Sequence, residues 1–172
     1  MARAAGLNSG HNCTDGLFYN GILVEADDYS GPAGARAILR HPDVQAAILE
    51  TARGGLLRRG LATDQADAAL VTNISEDHFG EYGIFSLDDL ARVKLTVAKG
   101  LKPGGRLVLN AGDPMLVEHG RMLRANSAWF AGDWHIPELQ FQLAQGAAVC
   151  AVDNGHLSLH ADGIVHDLGR IE

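Results

Sequence analysis

Val44-Gln45-Ala46-Ala47-Ile48-Leu49-Glu50-Thr51-Ala52-Arg53-Gly54-Gly55 is an apolar run that stops abruptly in a carboxylate, a hydroxyl, a guanidinium and two glycines. Residues 44–50 have the length and character of a buried strand, and the paired glycines suit a turn in which backbone approaches a neighbour or a ligand. A strand ending in such a turn presents polar groups at the carboxyl edge of a sheet, where open α/β sheets bind their ligands.

The same pattern recurs outward from this stretch. Ala68-Ala69-Leu70-Val71-Thr72 is a second apolar run, ending in Asn73-Ile74-Ser75-Glu76-Asp77-His78, and Gly105-Arg106-Leu107-Val108-Leu109-Asn110 is a third, ending in Ala111-Gly112-Asp113-Pro114. The first two strands are expected to lie side by side and to deliver their polar residues to one edge. Helical patterns separate the runs. Ser30-Gly31-Pro32 opens a helix to about Arg40, with proline near its first position and His41-Pro42-Asp43 as its stop. Ser86 caps another, with Asp88 and Asp89 in its first turn, running to about Lys99 and closed by Gly100 and Pro103. Pro114 leads a third to about Leu123.

Before these elements, residues 17–25 read as extended and broken at Gly21; after them come a strand at 128–131, a weak helix near 137–145 and a hairpin around Asp153-Asn154-Gly155. The reading is an α/β fold, a mainly parallel sheet with helices on both faces, followed by a small β-rich tail. One domain is expected over residues 1–172, with its core at about 5–125 and the tail at about 126–172.

Composition narrows the function. A length of 172 residues suits one domain, against roughly 150 residues per domain. The net charge is −7, and only Lys94, Lys99 and Lys102 are lysines. An acidic chain without a Lys/Arg run is poorly equipped to neutralise phosphates, so nucleic acid and anionic membrane are not expected partners. None of the three lysines follows a glycine, so a complete Gly-Lys-Ser/Thr phosphate loop does not occur in the sequence. Cys13 and Cys150 form no C-x-x-C pair, and the first residues lack the apolar core of a signal peptide, which makes a reduced, cytoplasmic setting the expectation.

The strand-end clusters are the candidates for chemistry. A carboxylate and an imidazole from neighbouring strands, here Glu50 and His78, can hold a hard divalent cation whose other positions go to substrate phosphates and water. The bland alternatives stay open on spacing alone: Glu50 as a solvated strand end, Asp77-His78 as a capped turn, Lys94 as an exposed mid-helix charge. Arg58-Arg59 reads as a solvated turn, and the remaining histidines have no metal-ligand spacing.

Taken in order, Leu49-Glu50-Thr51-Ala52-Arg53-Gly54-Gly55-Leu56-Leu57-Arg58-Arg59-Gly60-Leu61, Val71-Thr72-Asn73-Ile74-Ser75-Glu76-Asp77-His78-Phe79-Gly80 and Val108-Leu109-Asn110-Ala111-Gly112-Asp113-Pro114 resemble the central domain of the Mur ligase superfamily. Within it the chain is most similar to the cyanophycin-synthetase branch, in its carboxy-terminal ligase half; Thr14-Asp15-Gly16 and Ser30-Gly31-Pro32 with Ala35-Arg36 fit the same branch. The resemblance runs over roughly residues 5–120 and is weaker in the tail.

It implies a phosphate-loop NTPase-like α/β domain that spends ATP to phosphorylate a carboxylate, giving an acyl phosphate that an amine attacks. Glu50 would ligate magnesium near the γ-phosphate and His78 a second magnesium shared with the acyl substrate. Asn73 would stand beside them, and Lys94 occupies the place of a lysine carbamylated in many family members. Asn110 and Asp113 would serve the nucleotide; Thr14, Asp15 and Arg53 the substrate. Mg2+ and ATP are the implied cofactor and co-substrate. Gly112 stands where the family commonly has aspartate, and Cys13 where it has threonine or serine.

The family's phosphate loop would precede Ala2 to Gly6 and a carboxy-terminal domain would follow Glu172, so this chain alone is expected to be an incomplete ligase. It would then pair with a separately supplied phosphate-loop segment or with a second copy of itself. Two other readings remain at this point: a degenerate ligase domain acting as a binding module, and a metal-dependent hydrolase using Glu50, Asp77 and His78.

Overall fold

The computed structural model describes residues 2–76, 80–123 and 125–171. The expected metal ligand His78 and its neighbour Asp77 lie outside the described residues. The chain divides into two compact units, Met1–Thr63 and Asp64–Glu172.

The first unit holds a four-stranded sheet of β1 (Ser9–Cys13), β2 (Gly16–Tyr19), β3 (Ile22–Glu25) and β4 (Ala46–Leu49), in the order β3-β2-β1-β4. The pair β1 and β4 is parallel and the others are antiparallel. The extended segment 17–25 is therefore a hairpin, turned at Asn20 (φ 50°) and Gly21 (φ 79°). Gly16 (φ 149°) is required: a β-carbon there would lie 2.2 Å from the Glu25 carbonyl oxygen.

Helix α1 (Pro32–Arg40) begins at the expected proline and packs Ala35 and Ile38 inward. The glycines expected in a turn after Glu50, and Arg58-Arg59, expected as a solvated turn, lie instead in helix α2 (Arg53–Arg59). Its glycines answer to packing: a β-carbon on Gly55 would lie 2.8 Å from Cδ of Pro32, so the first turns of α1 and α2 meet at backbone distance.

The second unit is built on a six-stranded sheet of β5 (Ala66–Val71), β6 (Leu101–Asn110), β7 (Asn126–Ala131), β8 (Ala148–Asp153), β9 (His156–Ala161) and β10 (Ile164–Arg170), in the order β10-β9-β8-β7-β6-β5. β5 to β8 are parallel; β9 and β10 continue the sheet antiparallel. The Asn154-Gly155 turn forms as expected, and the hairpin is continuous with the parallel strands. Helices α3 (Leu87–Lys94), α4 (Pro114–Met122) and α5 (Pro137–Ala144) connect them. The fold is α/β with a mainly parallel second sheet.

Its core lies along the parallel strands and the helices that connect them. Along β6, Leu107 and Leu109 are wholly buried, as are Leu90, Leu116, Leu139 and Val149 from elements on either side in sequence. Each such side chain contributes about 1.5–3 kcal/mol on leaving water. Helix α3 is shorter than expected: it ends at Lys94 and tightens into a 3-10 segment, Leu95–Gly100, and Pro103 lies within β6 rather than outside it.

Two further expectations are corrected. β4 and β5 do not pair in one sheet: each is the terminal strand of its own. Neither is fully buried: Ile48 is 55% and Leu70 57% exposed. Apolar runs of this kind match a strand covered on both faces, but which strand lies beside which is settled by long-range pairing. Among the described residues no helix is long and apolar enough to cross a membrane.

Candidate active site

In the second unit the loop after β5 is held from three directions. The Asn110 side chain, at the end of β6, donates from Nδ2 to the Thr72 carbonyl at 3.0 Å. Lys94 Nζ, on the last turn of α3, donates to the Asn73 carbonyl at 3.0 Å. The Asp113 carboxylate, between β6 and α4, accepts the Ile74 amide proton at 2.6 Å. Three successive residues, 72 to 74, are thus gripped by three side chains.

Each grip has a local cause. Ser86 Oγ accepts the Asp89 amide at 3.1 Å and donates to Asp89 Oδ2 at 2.8 Å, while Asp89 Oδ2 also accepts the Phe85 amide. This reciprocal cap fixes the start of α3 and hence the position of Lys94 one helix length on. The same bonds, with the Ser86 hydroxyl contributing most, hold the Asp89 carboxyl below its ordinary range. Asp113 caps α4, its Oδ1 accepting from Met115 N at 2.9 Å and Leu116 N at 3.0 Å. It is only 8% exposed; three N–H donors and the positive end of the helix offset the cost of burying its charge. Asn110 Oδ1 meanwhile accepts from Gly112 N at 2.8 Å, which shapes the turn between them.

In the first unit, Glu50 follows β4 and is exposed; its Oε1 accepts from the Thr14 hydroxyl at 3.3 Å. Asp15 sits beside Thr14 in the exposed β1–β2 turn, and Arg53 is the first residue of α2. The structure therefore brings Thr14 to Glu50, and, separately, Asn73, Lys94, Asn110 and Asp113 to one another.

Sequence reasoning passed over Asn12. It is 1% exposed on β1 and donates from Nδ2 to the carbonyls of Tyr29 (2.7 Å) and Glu50 (2.9 Å), so it fixes the backbone from which Glu50 projects. The signal available was a lone amide in a strand-like stretch, His11-Asn12-Cys13, but β1 itself was not anticipated. Among the described residues no three of His, Cys, Asp and Glu stand close enough to share a metal. Glu50 alone of the expected ligands is described, and an exposed carboxylate is an oxygen donor suited to magnesium.

Polar clusters at the ends of parallel strands stand where open α/β sheets bind their ligands. Residues 27–133 match the Mur ligase middle domain, and the chain belongs to that family. It is 36% identical to the cyanophycin synthetase of Synechocystis sp. over 157 residues and 36% identical to that of Nostoc sp. over 163, covering 91% and 95% of this chain. The chain spans about 18% of the length of each of these relatives. A solved UDP-N-acetylmuramoyl-L-alanyl-D-glutamate–2,6-diaminopimelate ligase superposes with a TM-score of 0.61 at 15% identity, over 96% of this chain and 34% of that one, a likeness of fold.

Proposed function

We propose that this chain is the central portion of an ATP-dependent carboxylate–amine ligase of the cyanophycin-synthetase kind, working through an acyl phosphate. The observation that carries this reading is the grip of Asn110, Lys94 and Asp113 on residues 72–74. It fixes the backbone of residues 72–74 at a strand end, and Asn73 among them is the catalytic asparagine in this reading. A carboxylate and a polyphosphate repel, so such a ligase must supply fixed cations and donors that bring them together without reorganising during the reaction.

In this reading Glu50 and His78 hold magnesium, which neutralises the phosphate charge when bound. Thr14 orients the Glu50 carboxylate through its hydroxyl, and Asn73 stands at the reacting groups. Lys94 supports the site from α3, as an anion if carbamylated. Thr14, Asp15 and Arg53 face the acyl substrate, and Asn110 and Asp113 shape the nucleotide side. All 172 residues act as one part of the ligase, in the cytoplasm, with ATP and an acidic peptide or amino acid as substrates.

The phosphate anchor comes from a segment outside these residues or from a second copy.

The test is phosphate release from ATP and magnesium with a β-aspartyl peptide and arginine. The full-length protein should turn over, Glu50→Gln and His78→Ala should lose about 100-fold or more, in line with loss of transition-state charge stabilisation, and the isolated chain should be inactive. Turnover by the isolated chain would overturn the incompleteness, and unaltered turnover in both variants would overturn the assignment of the metal ligands.

A further inference from the structure

We infer that Asp113 is a positioning residue that acts on the reaction through Ile74, and that the β6–α4 connection clamps the catalytic loop after β5; this rests on the ligase reading above. The carboxylate divides its two oxygens between two elements. Oδ1 takes the Met115 and Leu116 amides of α4, and Oδ2 takes the Ile74 amide, 39 positions back in sequence. Asn110 divides its side chain in the same way, with Oδ1 on Gly112 of its own turn and Nδ2 on the Thr72 carbonyl, 38 positions back. Two consecutive turns of chain thus reach across to the same three-residue segment, one gripping its first carbonyl and the other its last amide.

The anchoring is strong where it matters. Ile74 is 7% exposed and belongs to the core, so its amide, once deprived of Asp113, has no solvent to replace the bond. A charge-assisted bond to a buried carboxylate is worth more than a neutral one. Asn73 lies between the two anchored residues, and its own side chain is left to Thr72 Oγ1 (3.2 Å) and Ser75 Oγ (3.3 Å), both exposed partners. The clamp therefore fixes the backbone of Asn73 while leaving its amide free to exchange partners for a ligand. With three N–H groups already on its carboxylate and little exposed surface, Asp113 serves the nucleotide side by shape and not by touching it.

Substituting Asp113→Asn separates the two halves of the arrangement. The amide oxygen still caps α4, but an NH2 now faces the Ile74 N–H, donor against donor. Asp113→Ser is the second variant: it caps a helix and is too short to reach Ile74 as well. Amide hydrogen exchange should rise at least 10-fold at Ile74 in both variants, with Met115 and Leu116 still protected. In the full-length ligase, kcat should fall at least 10-fold with the KM for ATP within about 3-fold, the signature of a group that acts on the transition state without binding ground-state nucleotide.

Unchanged protection at Ile74, or equal loss at Ile74, Met115 and Leu116, would overturn the clamp. A raised KM for ATP at constant kcat would overturn the indirect role by showing direct nucleotide contact. Failure of the ligase reading is seen separately, as absence of turnover in the unsubstituted protein, and leaves the exchange result to decide the clamp.

Discussion

Lys94 and Asn73 are joined by a 3.0 Å hydrogen bond from the lysine Nζ to the asparagine carbonyl, which ties the last turn of α3 to the loop after β5 across 21 positions of sequence. The bond places the lysine beside residues 72–74. Lys94→Met should lower ligase turnover in the full-length protein by at least about 10-fold, while unfolding free energy changes by only about 0.5–1.5 kcal/mol, the worth of one such bond. If the lysine works as a carbamate, turnover should also rise on adding bicarbonate, and only in the unsubstituted protein. Kinetics and urea melts side by side check both, and equal loss of turnover and folding would reduce Lys94 to a structural tether.

Gly54 and Gly55 are adjacent in α2 and should respond to alanine with opposite signs. At Gly54 a β-carbon meets nothing nearer than Arg58 Nη2 at 3.8 Å, whereas at Gly55 it meets Pro32 Cδ at 2.8 Å and Gly31 Cα at 3.3 Å. Gly54→Ala should stabilise by about 0.5–1 kcal/mol through helix propensity and reduced unfolded-state freedom. Gly55→Ala should destabilise by about 1–3 kcal/mol through overpacking. Thermal denaturation of the two variants against the parent decides it, and a shift of the same sign in both would refute the close approach of α1 and α2.

Glu138 is buried on α5 and is held by Arg121, which pairs with both its oxygens, and by Gln142 Nε2 at 2.7 Å. Arg121 also lies over the Phe141 ring, 5.3 Å from its centre. Arg121→Ala leaves the Glu138 carboxylate with one amide partner and should destabilise the protein. Glu138→Gln, which keeps the shape and an acceptor, should cost less. Chemical denaturation of both variants gives the order, and a smaller loss for Arg121→Ala would contradict it.

Acid should weaken the protein through its capped aspartates. The Ser86 hydroxyl bonded to Asp89, and the Ser30 hydroxyl and amide bonded to Asp28, hold both carboxyls below their ordinary values. A depressed carboxyl contributes stability that is fully present above its unfolded value, about 3.9, and is lost as pH falls through the folded value. Melting temperature should therefore be level above about pH 5 and decline below about pH 4 on this account. Ser86→Ala should flatten the part of that decline owed to Asp89. Melts from neutral pH downward test this, and a decline that Ser86→Ala leaves unchanged would remove Asp89 from the explanation.

The elements that were legible in the sequence are those whose signals are local. Pro32 and Pro114 at helix starts, Ser86 with Asp89 as a cap, the apolar run at 105–110, and the Asn154-Gly155 turn each act within a few residues, and each appears where expected. Local signals were weaker where tertiary packing overrode them. Arg53-Gly54-Gly55 reads as a turn because isolated glycines disfavour helix, yet α2 forms because only glycine lets it approach Pro32. Strands β1 and β10 carry too little apolar periodicity to announce themselves and exist by pairing with β4 and β9.

Residue types at the candidate site were legible too, since carboxylate, amide and lysine at strand and helix ends are the groups that phosphate chemistry requires. Their division of labour was not. That Asn110 and Asp113 turn back onto Thr72 and Ile74, and that Asn12 holds the carbonyl of Glu50, depends on bonds between residues 38 or 39 positions apart. Such bonds leave no periodic trace in a chain, because they follow from parallel strands set beside one another by the burial of a shared core. Sequence named the groups; the packing of β5 against β6 turned two of them inward as a clamp.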